Sequence, residues 1–506
     1  MRSEKQNADK ELYRQLRGLP WERLWTEEVP EFDRATQAER AEKVAVVRAV
    51  GVVFLESGPR ELGSEVRRWL RNLLNDPVEK IRRYAMNALP KVGAGQDEES
   101  DLLALLTRTD IEREKKFLAG ALDKIGGEQT LAVTRGLLPQ TEQKARAAVA
   151  RNESPGAIRM GRVLEEIGGV TIHLRGRRGL EGMMCAELGD VARDTFRILD
   201  RSEGLVVVEP KAPFALSDLY KLRCFGTAGF FLGAGTADGL AGRMTSPLAL
   251  RLLGTFTEGT VRYRLEFVSK GHQRGAVREL ANRVYALCPE ILNDPRSALW
   301  AMDVHPAGRG EMVELRPRLT PDPRFAYRRQ YLPAASHPPL AAAMVRLAGR
   351  MDGEIVWDPF CGSGIELIEC ALRGGVSGLF GTDLSAAAVV MAQTNFAAAG
   401  MALADAKFVC CDFREHASVE GLGAGQVSLV ITNPPLGMRV PISNLRQLFA
   451  DLFAVAAVVL RPGGRLVFVN PLRAELPHPL LKLQSRQPVD MSGFDCRMEM
   501  YSKARK

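Results

Sequence analysis

From about residue 335 to its C-terminus the chain alternates short, almost uninterrupted apolar runs with longer amphipathic ones. EIVWDP leads into GIELIECALRG, and VSGLFGTDL into SAAAVVMAQTNFAAAG; AKFVCCD, QVSLVITNPP, NLRQLFADLFAVAAVVL and GRLVFVNP follow. Parallel strands are joined only by crossovers, usually helices, and helices on both faces leave such strands no polar side to show. The alternation therefore predicts a doubly wound, Rossmann-like α/β domain with a parallel sheet over residues 335–506. Ligands of such sheets lie at the carboxyl ends of the strands, so the candidate residues should gather there.

The first third reads differently. AEKVAVVRAVGVVFLE, ELGSEVRRWLRNLL, VEKIRRYAMNALPKV and IEREKKFLAGALDKI each carry apolar residues at helical spacing, separated by breaks such as Asn75-Asp76-Pro77 and Gly126-Gly127. ALPKVG at 88–93 recurs as ALDKIG at 121–126, an offset of 33 residues. A period in that range is the mark of stacked helix pairs. NDPVEKIRRYAMNALPKVG resembles a HEAT-type repeat, although the period is shorter than the ~40–47 residues of that class. Residues 1–155 are expected to be all-α and HEAT-like, with a polar linker in RNESPGAIRM. Between 160 and 334, strand-like runs (VTIHL, GLVVVE, VRYRLEFV, MVELRPRL) mix with helical ones (LEGMMCAELGDVARDTF, GAVRELANRVYALCPEIL), which predicts small α/β modules.

At 506 residues the chain is long enough for about three such domains. The net charge of +8 is unevenly spread, because residues 151–334 hold 27 Lys and Arg against 21 Asp and Glu. That excess of +6 makes the middle third the first place to look for a polyanion surface, although a solvated basic face explains it equally well. No run is long and apolar enough to span a membrane, and the charged N-terminus lacks the apolar core of a secretion signal. Eight scattered cysteines without a CxxC pair, beside six histidines, argue against a disulfide scaffold or zinc module. A cytoplasmic protein without a metal site or a membrane partner is expected.

Four motifs fall at successive strand ends of the last segment. Asp358-Pro359-Phe360-Cys361-Gly362-Ser363-Gly364 is a glycine turn before a helix, where the backbone can approach a ligand and the helix N-terminus favours an anionic group. It lacks the Lys-Ser/Thr of a phosphate loop, which demotes nucleotide hydrolysis. Asp383 follows Gly364 by 19 residues, a spacing suited to ribose hydroxyls, with a capping role beside Ser385 as the plain alternative. Asp412 ends the next strand and could accept from an adenine amino group or merely cap a helix. Thr432-Asn433-Pro434-Pro435-Leu436-Gly437 follows a buried strand. Its prolines stiffen the backbone and remove competing donors, so an amide and a carbonyl can together grip an exocyclic amine.

In this order DPFCGSGIELIE, GTDLS, CCDF and TNPPLGMR resemble the motifs of class I S-adenosylmethionine methyltransferases with an N/DPPY-like signature. YRRQYLPAASHPPLAAAMVRLA resembles the entry to the catalytic domain of THUMP-domain RNA methyltransferases, which form N2-methylguanosine in tRNA or rRNA. RGLEGMMCAELGD and KLRCFGTAGFFL are similar to the ferredoxin-like piece that precedes a THUMP module. VRYRLEFVSKGHQRGAVRELANRVYALCPEI with VELRPRLTPDPRFAYRR is similar to the module itself. The resemblance covers about 165–506 and leaves the helical N-terminus outside. It implies S-adenosyl-L-methionine as cofactor, held by Asp358, Phe360, Gly362, Gly364, Asp383, Leu384, Asp412 and Phe413. Catalysis falls to Asn433, Pro434, Pro435 and Leu436. The partners implied are structured RNA (tRNA or rRNA) and, for the helical repeats, a protein.

Two positions depart from the family pattern. Leu436 stands where an aromatic residue is usual, which removes a stacking platform, and Ile365 stands where Thr is frequent. Two other functions fit the same residues: an N6-adenine methyltransferase, and an RNA-binding scaffold with little chemistry of its own. His337 could touch the cofactor or cap a helix, the cap being the favoured reading, and Arg175, Arg177 and Arg178 are either phosphate contacts or a solvated loop.

Overall fold

A computed structural model describes the chain apart from residues 1, 135–137, 154–155, 270, 272, 331–335, 437–443, 474–476 and 506. Part of the expected linker, residues 331–335 of the entry segment, and Gly437 of the proline motif lie outside the described residues. No helix among the described residues is long and apolar enough to cross a membrane.

The chain forms two compact units, and their boundaries interleave along the sequence. The first comprises Met1–Ala157, Thr236–Thr245 and Thr257–Pro306. Its helices include α1 (Ala45–Ser57), α2 (Gly63–Leu73), α3 (Glu79–Ala88), α4 (Gln96–Arg108), α5 (Glu112–Ile125), α6 (Glu128–Thr134) and α7 (Pro139–Glu153). They stack in two rows, with α1, α3, α5 and α7 in successive contact in one, and α2, α4 and α6 in the other. Helices α1 to α5 each turn an apolar stripe inward, so Val47, Val50, Leu70, Ile81, Met86, Leu102, Leu118 and Leu122 are buried in one continuous core. α4 is not among the expected helices because its acidic start, QDEES, hides the periodicity of the residues after it. In the same unit the helix Arg274–Leu287 packs on α7, where Ala147, Tyr285 and Leu292 form a small apolar cluster. Arg151 pairs there with Asp294 at 2.9 Å.

The second unit comprises Ile158–Gly235, Ser246–Phe256 and Ala307–Lys506. Five antiparallel strands lie side by side in the order Gly310–Pro317, Thr227–Gly235, Ile172–Arg175, Leu205–Pro210, Phe196–Ser202. Residues 195–196, expected to end a helix, instead lead into the last of these, because the helix stops at Val191.

The remainder of this unit is a seven-stranded sheet. Its strands are β1 (Glu354–Asp358), β2 (Val376–Asp383), β3 (Ala406–Cys410), β4 (Val427–Thr432), β5 (Leu460–Asn470), β6 (Leu481–Asp490) and β7 (Asp495–Lys503). The order is β3-β2-β1-β4-β5-β7-β6. The first five run parallel, as the apolar runs predict, while β7 is antiparallel to both β5 and β6. The sheet is therefore mixed, not wholly parallel. Helices α8 (Pro338–Ala348), α9 (Ile365–Arg373), α10 (Ala386–Ala398) and α11 (Leu445–Val459) cover it. Every residue of β4 is buried, which is why its sequence shows no alternation. The strand order reverses between β1 and β4, and that point locates the ligand crevice.

The 158–235 segment is bolted to this sheet at two places. Glu369 of α9 receives two bonds from the Arg223 guanidinium, at 2.7 and 2.8 Å, and one from the Tyr327 hydroxyl. At the other place the Arg178 carbonyl accepts from Asp490 N–H at 2.9 Å. Gly179 there has φ +96°, and a Cβ on it would stand 1.9 Å from the Pro488 carbonyl oxygen. Gly493, with φ +90°, has open space around it. We expect Gly179→Ala to destabilise the second unit by at least about 2 kcal/mol, combining left-handed strain with undocking. Gly493→Ala should cost only the strain, about 1 kcal/mol; paired urea melts check the difference.

Candidate active site

Asp358 ends β1 with no exposure to solvent. One carboxylate oxygen accepts from Thr432 Oγ1 at 2.6 Å and from Phe360 N–H at 3.0 Å. The other is buried without a partner among the described residues. Burial, then the neighbouring charge of Glu366, holds this carboxyl well above the usual carboxylate range. The bond to Thr432 ties the ends of β1 and β4 together across the switch point.

The glycine turn comes next. Gly362 and Gly364 take φ +50° and +79°, values that a side chain would strain, and a Cβ on Gly364 would also crowd Ala392. Gly362 N–H donates to Asp383 Oδ2 at 2.9 Å, and Ser385 N–H to Asp383 Oδ1 at 2.9 Å. Asp383 thus braces the turn while each oxygen keeps capacity for a further donor. Ser385 caps α10 through its own hydroxyl, so the helix cap falls to Ser385 and not to Asp383. Asn395, fully buried on α10, donates to the Ser363 carbonyl at 3.0 Å and to the Gln330 carbonyl at 2.8 Å. It clamps the turn to the segment before α8.

Around this turn the remaining candidates differ in character. Leu384 is 73% exposed beside Asp383, an apolar side chain that the fold itself leaves uncovered. Phe360 is half-buried, and its ring lies 4.9 Å from that of Phe413, which is sunk in the core. Asp412 caps the short turn Phe413–Ser418 and pairs with Arg414 at 2.9 Å. Cys361 is buried, and burial pushes its thiol up, so it stays protonated and offers no nucleophile. His337 stands at the start of α8 without a side-chain capping bond, so the expected cap is positional only.

Asn433 leaves β4 half-buried, followed by buried Pro434 and half-buried Pro435 and Leu436. Its amide is held by a relay that no motif announces. Asn433 Nδ2 donates to Ser336 Oγ at 2.9 Å, and Ser336 Oγ donates in turn to Glu366 Oε1. One N–H of the amide is thus used, which orients the group, and the amide oxygen is buried and unpartnered among the described residues. Glu366 is also buried, in the first turn of α9, and burial pushes its carboxyl up to about 7. Sequence reasoning does not single out Ser336 and Glu366; the one signal is an acid within the apolar run GIELIE.

The site therefore offers unpaired buried acceptors on Asp358 and Asn433, a braced carboxylate at Asp383, and an apolar face at Leu384. This is the outfit of a class I methyltransferase. Residues 326–494 match the RMKL-like methyltransferase domain. The chain is 30% identical over 271 residues to the tRNA (guanine(6)-N2)-methyltransferase of Thermus thermophilus, spanning 50% of this chain and 76% of that protein. It is 31% identical over 156 residues to the tRNA (guanine(10)-N2)-dimethyltransferase of Methanocaldococcus jannaschii, covering 29% of this chain and 41% of that one. The crystal structure of TrmN from Thermus thermophilus shares the fold, with a TM-score of 0.54 at 22% identity over 66% of this chain and 99% of that chain. The chain belongs to the family of guanine-N2 methyltransferases to which the Thermus enzyme belongs.

Glu366 supplies a test of the buried relay. Its carboxyl keeps a proton up to about pH 7, whereas in the unfolded chain it ionises near 4.5. Wild-type stability from this group thus falls as pH rises between those values and levels off above them. Glu366→Gln, which keeps an acceptor for Ser336, should gain on wild type by on the order of 2 kcal/mol between pH 5 and 7 and no further above. Denaturant melts across pH 5–9 check this.

Proposed function

We propose that the protein transfers a methyl group from S-adenosyl-L-methionine to the exocyclic N2 of a guanosine in tRNA. The observation that carries the chemistry is the oriented Asn433 amide, whose nitrogen donates to Ser336 and whose oxygen has no partner among the described residues. A bare acceptor beside two prolines suits an amine that must be gripped by its hydrogens. Family membership supplies the base and the RNA class.

An exocyclic guanine amine is a weak nucleophile, because its lone pair is spread into the ring. The residues' task is positioning and exclusion of water, effects that supply several kcal/mol. Asn433 Oδ1 and the Pro434 carbonyl accept the two amine hydrogens and turn the lone pair toward the methyl. Pro435 keeps this array stiff, and Leu436 gives the base an apolar contact in place of a stacking ring. S-adenosyl-L-methionine, when bound, supplies the electrophilic methyl. Its methionine part fits Asp358, Phe360 and the Gly362–Gly364 turn, where the orphaned Asp358 oxygen calls for a donor. Its ribose hydroxyls fit Asp383, and its adenine fits Leu384 and Asp412 over the Phe360–Phe413 pair. Nitrogen becomes acidic once methylated, so its proton needs no strong base.

Within a cytoplasmic enzyme, residues 335–506 carry the chemistry, 160–334 act as a THUMP-like RNA-binding region, and 1–155 form a HEAT-like helical array. Nucleoside mass spectrometry of a tRNA transcript after incubation with the enzyme should show N2-methylguanosine. N6-methyladenosine, or no methylated base, would overturn the reading. Asn433→Ala should abolish turnover and leave cofactor affinity nearly intact, and Ser336→Ala should lower kcat about tenfold by freeing the amide to rotate. Asp383→Ala should weaken cofactor binding by about 1–3 kcal/mol in calorimetry. Leu436→Ala should cost far less than Asn433→Ala, since an aromatic platform is worth ~1–3 kcal/mol per base and Leu supplies none.

A further inference from the structure

The echo ALPKVG and ALDKIG, which methyl transfer leaves unused, repeats a lysine: Lys91 in the first copy and Lys124 in the second. Both fall on the same row of the helical array, Lys91 just after α3 and Lys124 near the end of α5. They line two adjoining hollows. One, of about 230 Å³, is bounded by Arg48, Tyr84, Asn87, Ala88, Lys91 and Lys124. The other, of about 590 Å³, shares Asn87 and Lys124 and extends to Lys144, Arg274 and Arg278.

Successive helices of one row thus each contribute a cation to one surface: Arg48 from α1, Lys91 after α3, Lys124 from α5 and Lys144 from α7. The helix Arg274–Leu287 adds two more. Against six cations the hollows hold one acid among the described residues, Asp123, already engaged by Lys144 and by Thr141 at 2.9 Å. Lys91, Lys124, Arg274 and Arg278 have no carboxylate partner among the described residues. Burial, then the charges of Lys124 and Arg48, pulls the Lys91 ammonium down, so the groove is under mutual repulsion as it stands. Like charges held together this way favour an anion that spans them, and a row of cations contributed by successive helices suits a polymer that carries a charge on every unit.

We propose that this groove binds the phosphate backbone of the RNA substrate, so that the helical array is a second RNA-binding surface. The proposal rests on RNA being the substrate. Phosphate contacts position a nucleic acid without reading its bases, so the groove sets affinity and register and leaves the chemistry to the site at β4.

The test uses the full-length protein in three forms: wild type, Lys91→Gln with Lys124→Gln, and Arg274→Gln with Arg278→Gln. A control, Lys115→Gln with Lys116→Gln, removes the same charge elsewhere on α5. Anisotropy with a labelled tRNA transcript over a potassium chloride series should show each groove pair weakening binding about tenfold at moderate salt. The slope of log K against log salt should flatten by about 1.4–1.8, two phosphate contacts' worth. KM for RNA should rise while kcat and cofactor affinity stay at wild-type values, and the control should match wild type. Equal RNA affinity and slope in groove and control variants would overturn the proposal. So would loss of polyglutamate binding with RNA binding intact, which would mark an acidic protein as the occupant. Groove-dependent RNA binding without N2-methylguanosine would instead sink the reaction and leave the groove standing.

Discussion

A carboxyl group sealed from water at a strand end is tolerated only if its surroundings supply hydrogen bonds or a proton, and Asp358 imposes that demand on the whole sheet edge. Thr432 answers from the adjacent strand, and Phe360 from the turn that follows. The Phe360 N–H bond closes a tight turn over Pro359, and the left-handed glycines that follow carry the bend onward. The bend in turn presents Gly362 N–H to Asp383, so the second strand end is fixed by the first. The other oxygen of Asp358 is buried and has no partner among the described residues.

The rhythm of residues 335–506 is legible in the amino-acid order because parallel, doubly covered strands are apolar throughout, and the helices between them are long. The hairpin β6–β7 is not. β6 lies at the sheet edge, its residues are mostly exposed or half-buried, and Pro488 interrupts its pattern. The strand Phe196–Ser202 escapes for the same reason, being exposed along nearly its whole length. Edge strands answer to pairing, which composition does not record.

Motif residues stand out because topology delivers every parallel strand end to one rim. Their supports stay hidden, since those depend on contacts far apart in the chain. Ser336 and Glu366 are 30 residues apart, and Ser336 and Asn433 are 97 apart. Asn395 reaches the turn from the far end of the expected helix SAAAVVMAQTNFAAAG, where a polar residue looks like surface. Periodicity reveals which face of an element is inside, and says nothing of which buried polar atoms meet there.

The interleaved boundaries bear on how such a chain is made. It passes between its two units five times, at residues 157, 235, 245, 256 and 306. The first unit is incomplete until residue 306 has been synthesised, while residues 158–235 already need partners that lie beyond 306. A ribosome therefore cannot deliver one finished module after another. The helical array emerges early and can stack by nearest-neighbour contacts, but the rest must wait, partly assembled, for distant sequence. Genetic truncation meets the same obstacle, for every cut near the middle of the chain removes strands from one unit while trimming the other.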